Sequence, residues 1–107
     1  MTGADADEEC PPPVLLEGEI ARELPIVNRK GLHARATAKF VQCVERHDAK
    51  VRVTRCGETV GGDSIMGILT LGAAMGSTIV VSAAGAQAEA ALEALAALVA
   101  NRFGEDE

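Results

Sequence analysis

Seven short patterned stretches follow one another in the order strand, helix, strand, strand, helix, strand, helix, and no other feature of the chain narrows its fold as much. From residue 19, Ile20, Arg22, Leu24 and Ile26 share one parity, which predicts a strand ending at the turn signal 28–31. Residues 34–46 switch to a helical period, with Ala36, Phe40, Val41 and Val44 on one face and Arg35, Lys39 and Arg46 off it. Val51 and Val53 then alternate with basic residues, and a Cys-Gly-Glu turn leads to Thr59 and Val60, the pattern of a hairpin with one wet face. Ser64 is a suitable N-cap for a brief helix over 65–71 that Gly72 can close in the left-handed conformation. The β-branched run 78–82 reads as a buried strand, and 86–103 as a helix with Leu92, Leu95, Val99 and Phe103 on its apolar face. A hairpin set between helices suits a two-layer α+β fold: an open-faced sandwich whose four-stranded antiparallel sheet carries three helices on one face.

The core of such a fold must be aliphatic, because Trp and Tyr are absent and only Phe40 and Phe103 are aromatic. Base stacking is poorly supplied, which argues against a nucleic-acid module despite the basic residues described below. With 107 residues the chain suits one compact domain, expected over 19–104. Residues 1–18, acidic and with three consecutive prolines, are expected to form an extended or disordered tail. No apolar run is long enough to span a membrane, and the acidic start does not resemble a signal peptide, so a cytoplasmic, membrane-free protein is expected. Cys10, Cys43 and Cys56 are odd in number and far apart, which predicts incidental thiols, with neither a disulfide framework nor a metal site.

Charge is segregated along the chain. Residues 1–24 hold seven acids against Arg22, residues 25–56 hold eight bases against Glu45 and Asp48, and the last three residues are all acidic, within a net charge of -6. A basic surface therefore lies hidden inside an acidic average.

That basic stretch contains one unusual arrangement. Between Gly31 and the helix no Ser, Thr, Asp or Asn takes the cap position, so the first-turn amides lack a side-chain acceptor and form a ready anion site. Arg35 opposes the helix dipole unless an anion is bound there. His33 stands beside those amides, and an uncharged imidazole can take a phosphoryl group on a ring nitrogen. The amides, the dipole and Arg35 would then hold the phosphoryl oxygens. His47, at the other end of the helix, fits a favourable interaction with the dipole.

With its Asn-Arg-Lys-Gly-Leu-His-Ala-Arg run at 28–35 and its Gly-Gly-Asp-Ser-Ile-Met-Gly-Ile-Leu-Thr-Leu-Gly run at 61–72, the chain resembles the HPr phosphocarriers of the bacterial phosphotransferase system over 19–103. The first run is similar to the family's active-site signature and the second to its regulatory-serine signature. The resemblance implies an HPr-like fold, a monomer without a cofactor, and a relay in which enzyme I, charged from phosphoenolpyruvate, phosphorylates Nδ1 of His33. A histidine of a IIA-type protein would receive the group. Arg35 and the amides of Ala34 and Arg35 would stabilise it, and Ile65, Met66 and Lys39 would contact partners. Ser64 would be the target of an HPr kinase/phosphorylase. The family commonly has proline after the arginine, where this chain has Ala36, and Gly-Leu-His-Ala-Arg-Ala-Thr is most similar to carriers of the nitrogen-related branch. A different outcome, a purely regulatory interaction protein controlled through Ser64 with no transport role, stays open at this point.

Overall fold

The computed structural model describes residues 10–107 and shows the expected open-faced sandwich. Strand β1 (Ile20–Pro25), helix α1 (Ala34–Glu45), strands β2 (Lys50–Arg55) and β3 (Glu58–Gly61), helix α2 (Ile65–Thr70), strand β4 (Thr78–Ala84) and helix α3 (Ala88–Ala100) follow in that order. The sheet order is β1-β4-β2-β3 and every pairing is antiparallel. The β-branched β4 lies between β1 and β2 and turns Ile79, Val81 and Ala83 into the core, as a fully paired inner strand should.

The core is aliphatic apart from Phe40 and Phe103, both buried. The predicted α1 face is the buried one: Ala36, Phe40, Val41 and Val44 all point inward. In β1 only Leu24 is buried, with Ile26 just beyond it, while Ile20 at the far end is exposed. The β2–β3 hairpin turns on Cys56 and Gly57, both at positive φ, the two-residue geometry whose twist matches the strands. Ser64 caps α2 by accepting the Gly67 amide, and Gly72 follows the helix at φ 62°.

The last helix is shorter than the expected 86–103. It ends at Ala100, and Arg102 and Phe103, both at φ 55°, turn the chain into a 3₁₀ segment, Arg102–Gly104. Phe103 stays buried despite leaving the helix, and the turn sends residues 105–107 back toward the start of α1.

One expectation meets a different outcome at the N-terminus. The cysteines are not all incidental: Cys10 and Cys56 form a disulfide across 46 residues, and Cys43 alone is a free, buried thiol whose pKa burial raises. Distance in sequence gave no guide, because the chain returns over the hairpin tip that carries Cys56 and brings the two Cα atoms within 4.8 Å. Residues 10–18 of the expected tail form no helix or strand and are mostly exposed, with a few ties to the domain; the rest of that tail, residues 1–9, lies outside the described residues. Pro11 lies beside Gly57, and the Val14 carbonyl accepts from Arg52 Nη2 at 3.0 Å. Glu19 receives two bonds from the Arg52 guanidinium, at 2.7 and 2.8 Å, which hold its carboxyl below the usual carboxylate range.

Charge segregation in the sequence thus becomes charge pairing in the fold. Of the basic stretch, Arg52 pairs with Glu19 from one acidic end, and Arg29 pairs with Glu107 from the other at 2.7 Å. Arg55 donates to the Leu71 carbonyl and ties the hairpin to the end of α2. The expected basic surface is in part neutralised from within.

Candidate functional site

The loop 28–33 is held from three directions. The Leu32 amide donates to the Ala73 carbonyl at 2.9 Å, Gly31 closes a turn onto the Asn28 carbonyl, and the buried Asn28 side chain donates from Nδ2 to the Gly31 carbonyl at 2.8 Å. The loop delivers His33 to the N-cap position of α1 with extended backbone, φ -75° and ψ 178°, and no side chain caps the helix. The first helical bond runs from the Thr37 amide to the His33 carbonyl, so the amides of Ala34, Arg35 and Ala36 precede the hydrogen-bonded ladder. An uncapped, dipole-positive helix start beside an imidazole is the arrangement expected from the sequence.

The structure adds a partner that sequence reasoning missed. Glu105 Oε2 is in hydrogen-bond contact with His33 Nε2, and its other oxygen accepts from Asn28 Nδ2 at 3.0 Å. The His33 bond is the largest influence on the Glu105 carboxyl; with help from Asn28 and the nearby Lys30 charge it outweighs partial burial and lowers the pKa. A carboxylate only accepts, so the hydrogen of this contact sits on Nε2, and in the neutral imidazole that tautomer places the lone pair on Nδ1. Among the described residues no hydrogen bond engages Nδ1.

A surface cleft joins these groups, lined by Arg29, Lys30, His33, Ala34, Arg35 and the acidic residues 105–107. Glu107 is tied at its side chain to Arg29, whose amide also donates to the Glu107 carbonyl. Arg35 is exposed and, among the described residues, its guanidinium takes part in no ion pair or hydrogen bond. Its guanidinium therefore lines the cleft without a direct ion-pair partner.

The other expected residues fall into two places. Ser64 is half-buried at the start of α2, and beside it Ile65 is 42 % and Met66 71 % exposed. Lys39 is engaged internally, donating from Nζ to the Phe103 carbonyl at 2.6 Å, which fastens α1 to the turn that carries Glu105. His47 caps the far end of α1, donating from Nδ1 to the Cys43 carbonyl at 2.8 Å. No helix of the described residues is long and apolar enough to cross a membrane.

Glu105 is expected to be a positioning residue for His33. In Glu105→Ala the imidazole loses its acceptor and the Nδ1–H tautomer gains population. Glu105→Gln keeps one acceptor oxygen and is expected to fall between. Imidazole nitrogen shifts in NMR separate this from a general loss of folding. The contact also sets a pH dependence: the Glu105 pKa is lower in the folded chain than in the unfolded one. Its stabilising contribution is complete above the unfolded value and disappears as pH falls through the folded value.

Comparison with known proteins places the fold within one family. The family model described as the HPr component phosphorylation site of the phosphotransferase system matches residues 20–101. The HPr of Cupriavidus necator is 43% identical over 88 residues, covering 82% of this chain and 99% of that protein, and the HPr of Pseudomonas aeruginosa is 46% identical, covering 81% and 98%. A protein named NPr from Shewanella violacea is 36% identical, covering 81% and 96%. Among solved structures, an HPr of Thermoanaerobacter tengcongensis superposes with a TM-score of 0.79 at 36% identity, covering 82% of this chain and 99% of that one. The HPr of Bacillus anthracis gives 0.74 at 40%, covering 78% and 99%. The chain belongs to the HPr family of phosphocarrier proteins of the phosphotransferase system.

Proposed function

We propose that this chain is a relay in which Nδ1 of His33 accepts a phosphoryl group from phosphoenolpyruvate-charged enzyme I and gives it to a histidine of a IIA-type protein. The observation that carries the reading is the Nε2 contact with Glu105, which leaves the nucleophilic lone pair at Nδ1 beside an uncapped helix start. In the forward step the Nδ1 lone pair forms the new N–P bond while the donor's N–P bond breaks, its electron pair staying on the donor nitrogen. The Nε2 proton remains held by Glu105, whose charge offsets the imidazolium produced. Arg35 and the amides of Ala34 and Arg35 neutralise the phosphoryl oxygens. Little covalent assistance is needed, since such transfers depend on positioning and charge neutralisation.

Ile65 and Met66 form the apolar part of the docking surface, and Lys39 acts by fastening α1 to the turn that carries Glu105. Ser64 is the regulatory position: its hydroxyl sits at a helix start next to that apolar pair, where an HPr kinase/phosphorylase would add roughly two negative charges. The charge would favour the helix start and repel an acidic partner. The chain works as a cytoplasmic monomer, and its IIA acceptor belongs to the sugar-transport or the nitrogen-related branch.

Label from phosphoenolpyruvate, passed through enzyme I, is expected to reach the wild-type chain as acid-labile phosphate and to be absent from His33→Ala. Labelling that survives the substitution overturns the assignment.

A further inference from the structure

The family match begins at residue 20, so the segment before it is additional to the shared domain. Its described part, residues 10–18, is fastened to the domain at both ends: by the Cys10–Cys56 disulfide at the hairpin tip, and by the Arg52 bonds to the Val14 carbonyl and Glu19. Between these anchors the segment buries little apolar surface. Val14 is 82 % exposed, Leu15 45 % and Leu16 56 %. Hydrophobic burial therefore adds little to its retention, and the covalent link does much of the holding.

The surface beneath supports the same conclusion. Val81 and Ala83 face the helices, so Ser82 between them points to the opposite face of the sheet, which an open-faced sandwich leaves to water. Yet Ser82 is 1 % and Thr54 4 % exposed. In the register Ser82 lies between Ala21 and Arg52, and Arg52 is the residue clamped by Glu19 and Val14. Among the described residues the Ser82 hydroxyl has no hydrogen-bond partner.

We propose that Cys10 and Cys56 form a dithiol–disulfide site that fastens residues 10–18 over the outer sheet face when oxidised and frees them when reduced. The co-reactant is a dithiol. Its thiolate attacks one sulfur of the Cys10–Cys56 bond, its second thiol resolves the mixed disulfide, and two electrons and two protons pass to the cysteines while the reductant becomes a disulfide. The reverse exchange with an oxidised dithiol closes the segment. Buried Cys43 takes no part.

The test uses the full wild-type chain, oxidised with a small-molecule disulfide or reduced with dithiothreitol. Denatured oxidised protein is expected to show one titratable thiol per chain and reduced protein three. The amides of Leu16 and Glu19, hydrogen-bonded to Glu19 Oε1 and to the Leu16 carbonyl, are expected to exchange hydrogen at least tenfold faster after reduction, while amides within α1 change little. Cys10→Ser should exchange like the reduced protein under both conditions, and Cys43→Ser should keep the full response. Three thiols after oxidation, a disulfide between two chains in place of one within a chain, or Leu16 and Glu19 exchange unaltered by reduction would each overturn the proposal.

Discussion

Arg35→Ala is expected to slow phosphoryl acceptance by His33 by roughly 10²- to 10³-fold, the range found when one preorganised donor to a developing anion is removed. The Arg35 guanidinium has no ion-pair or hydrogen-bond partner among the described residues, is exposed, and stands in the first turn of a helix whose dipole disfavours a cation. Its removal should therefore leave folding stability unchanged or raise it by some tenths of a kcal/mol. Rate and stability moving in opposite directions would mark a residue kept for its ligand. Initial rates of labelling from phosphorylated enzyme I, beside thermal unfolding of the same samples, measure both. Arg35→Lys should recover part of the rate, because a point charge remains while the bidentate fork is lost. Equal rates for wild type and Arg35→Ala would remove Arg35 from the site.

Gly31→Ala is expected to destabilise the fold by roughly 2–4 kcal/mol, combining a left-handed backbone with overpacking. Gly31 lies at φ 64°, and a Cβ there would sit 2.5 Å from the Ala73 carbonyl oxygen and 2.8 Å from the Ala74 Cα. Both obstacles are backbone, so no side chain can move aside. The loop must instead retreat, which breaks the Leu32–Ala73 bond and shifts the residue that carries the chemistry. Gly72→Ala is the matched control: its φ is 62° with nothing within 4 Å of the added carbon, so only the backbone cost, about 1–2 kcal/mol, should appear. In thermal unfolding Gly31→Ala should lower Tm by about 10–20 °C, and Gly72→Ala by clearly less. Equal losses in the two variants would show that the close approach at Gly31 carries no cost.

What the sequence made legible was local. The β-branched run of β4, the apolar face of α1, the Ser64 cap and the uncapped start at His33 each depend on neighbours within a few residues, and each stands in the structure. What it hid depends on distant returns of the chain. Glu105 meets His33 across 72 residues and Asn28 across 77, because Arg102 and Phe103 adopt positive φ where the helical pattern continues in sequence. The signal available was charge: acidic ends flanking a basic middle are complementary as well as solubilising, and Glu19–Arg52 and Arg29–Glu107 realise that complementarity. Cys10 and Cys56 were obscured in the same way, since spacing along the chain says nothing about a hairpin tip over which the N-terminal segment passes.

The departure at Ala36 also gains a physical setting. Proline at that point of the family pattern would preorganise the first turn, whereas here Ala36 is buried and the turn is fixed from outside. Thr37 donates its hydroxyl to the Leu32 carbonyl at 3.2 Å, and Lys39 fastens the helix to the Phe103 carbonyl.

The central claim concerns one atom, and NMR of the isotopically labelled, phosphorylated chain tests it directly. The account predicts a single phosphohistidine on His33 with phosphorus coupled to Nδ1, and a proton retained on Nε2 that Glu105→Ala leaves exposed to rapid exchange. Phosphorus on Nε2, or on any residue other than His33, would contradict it.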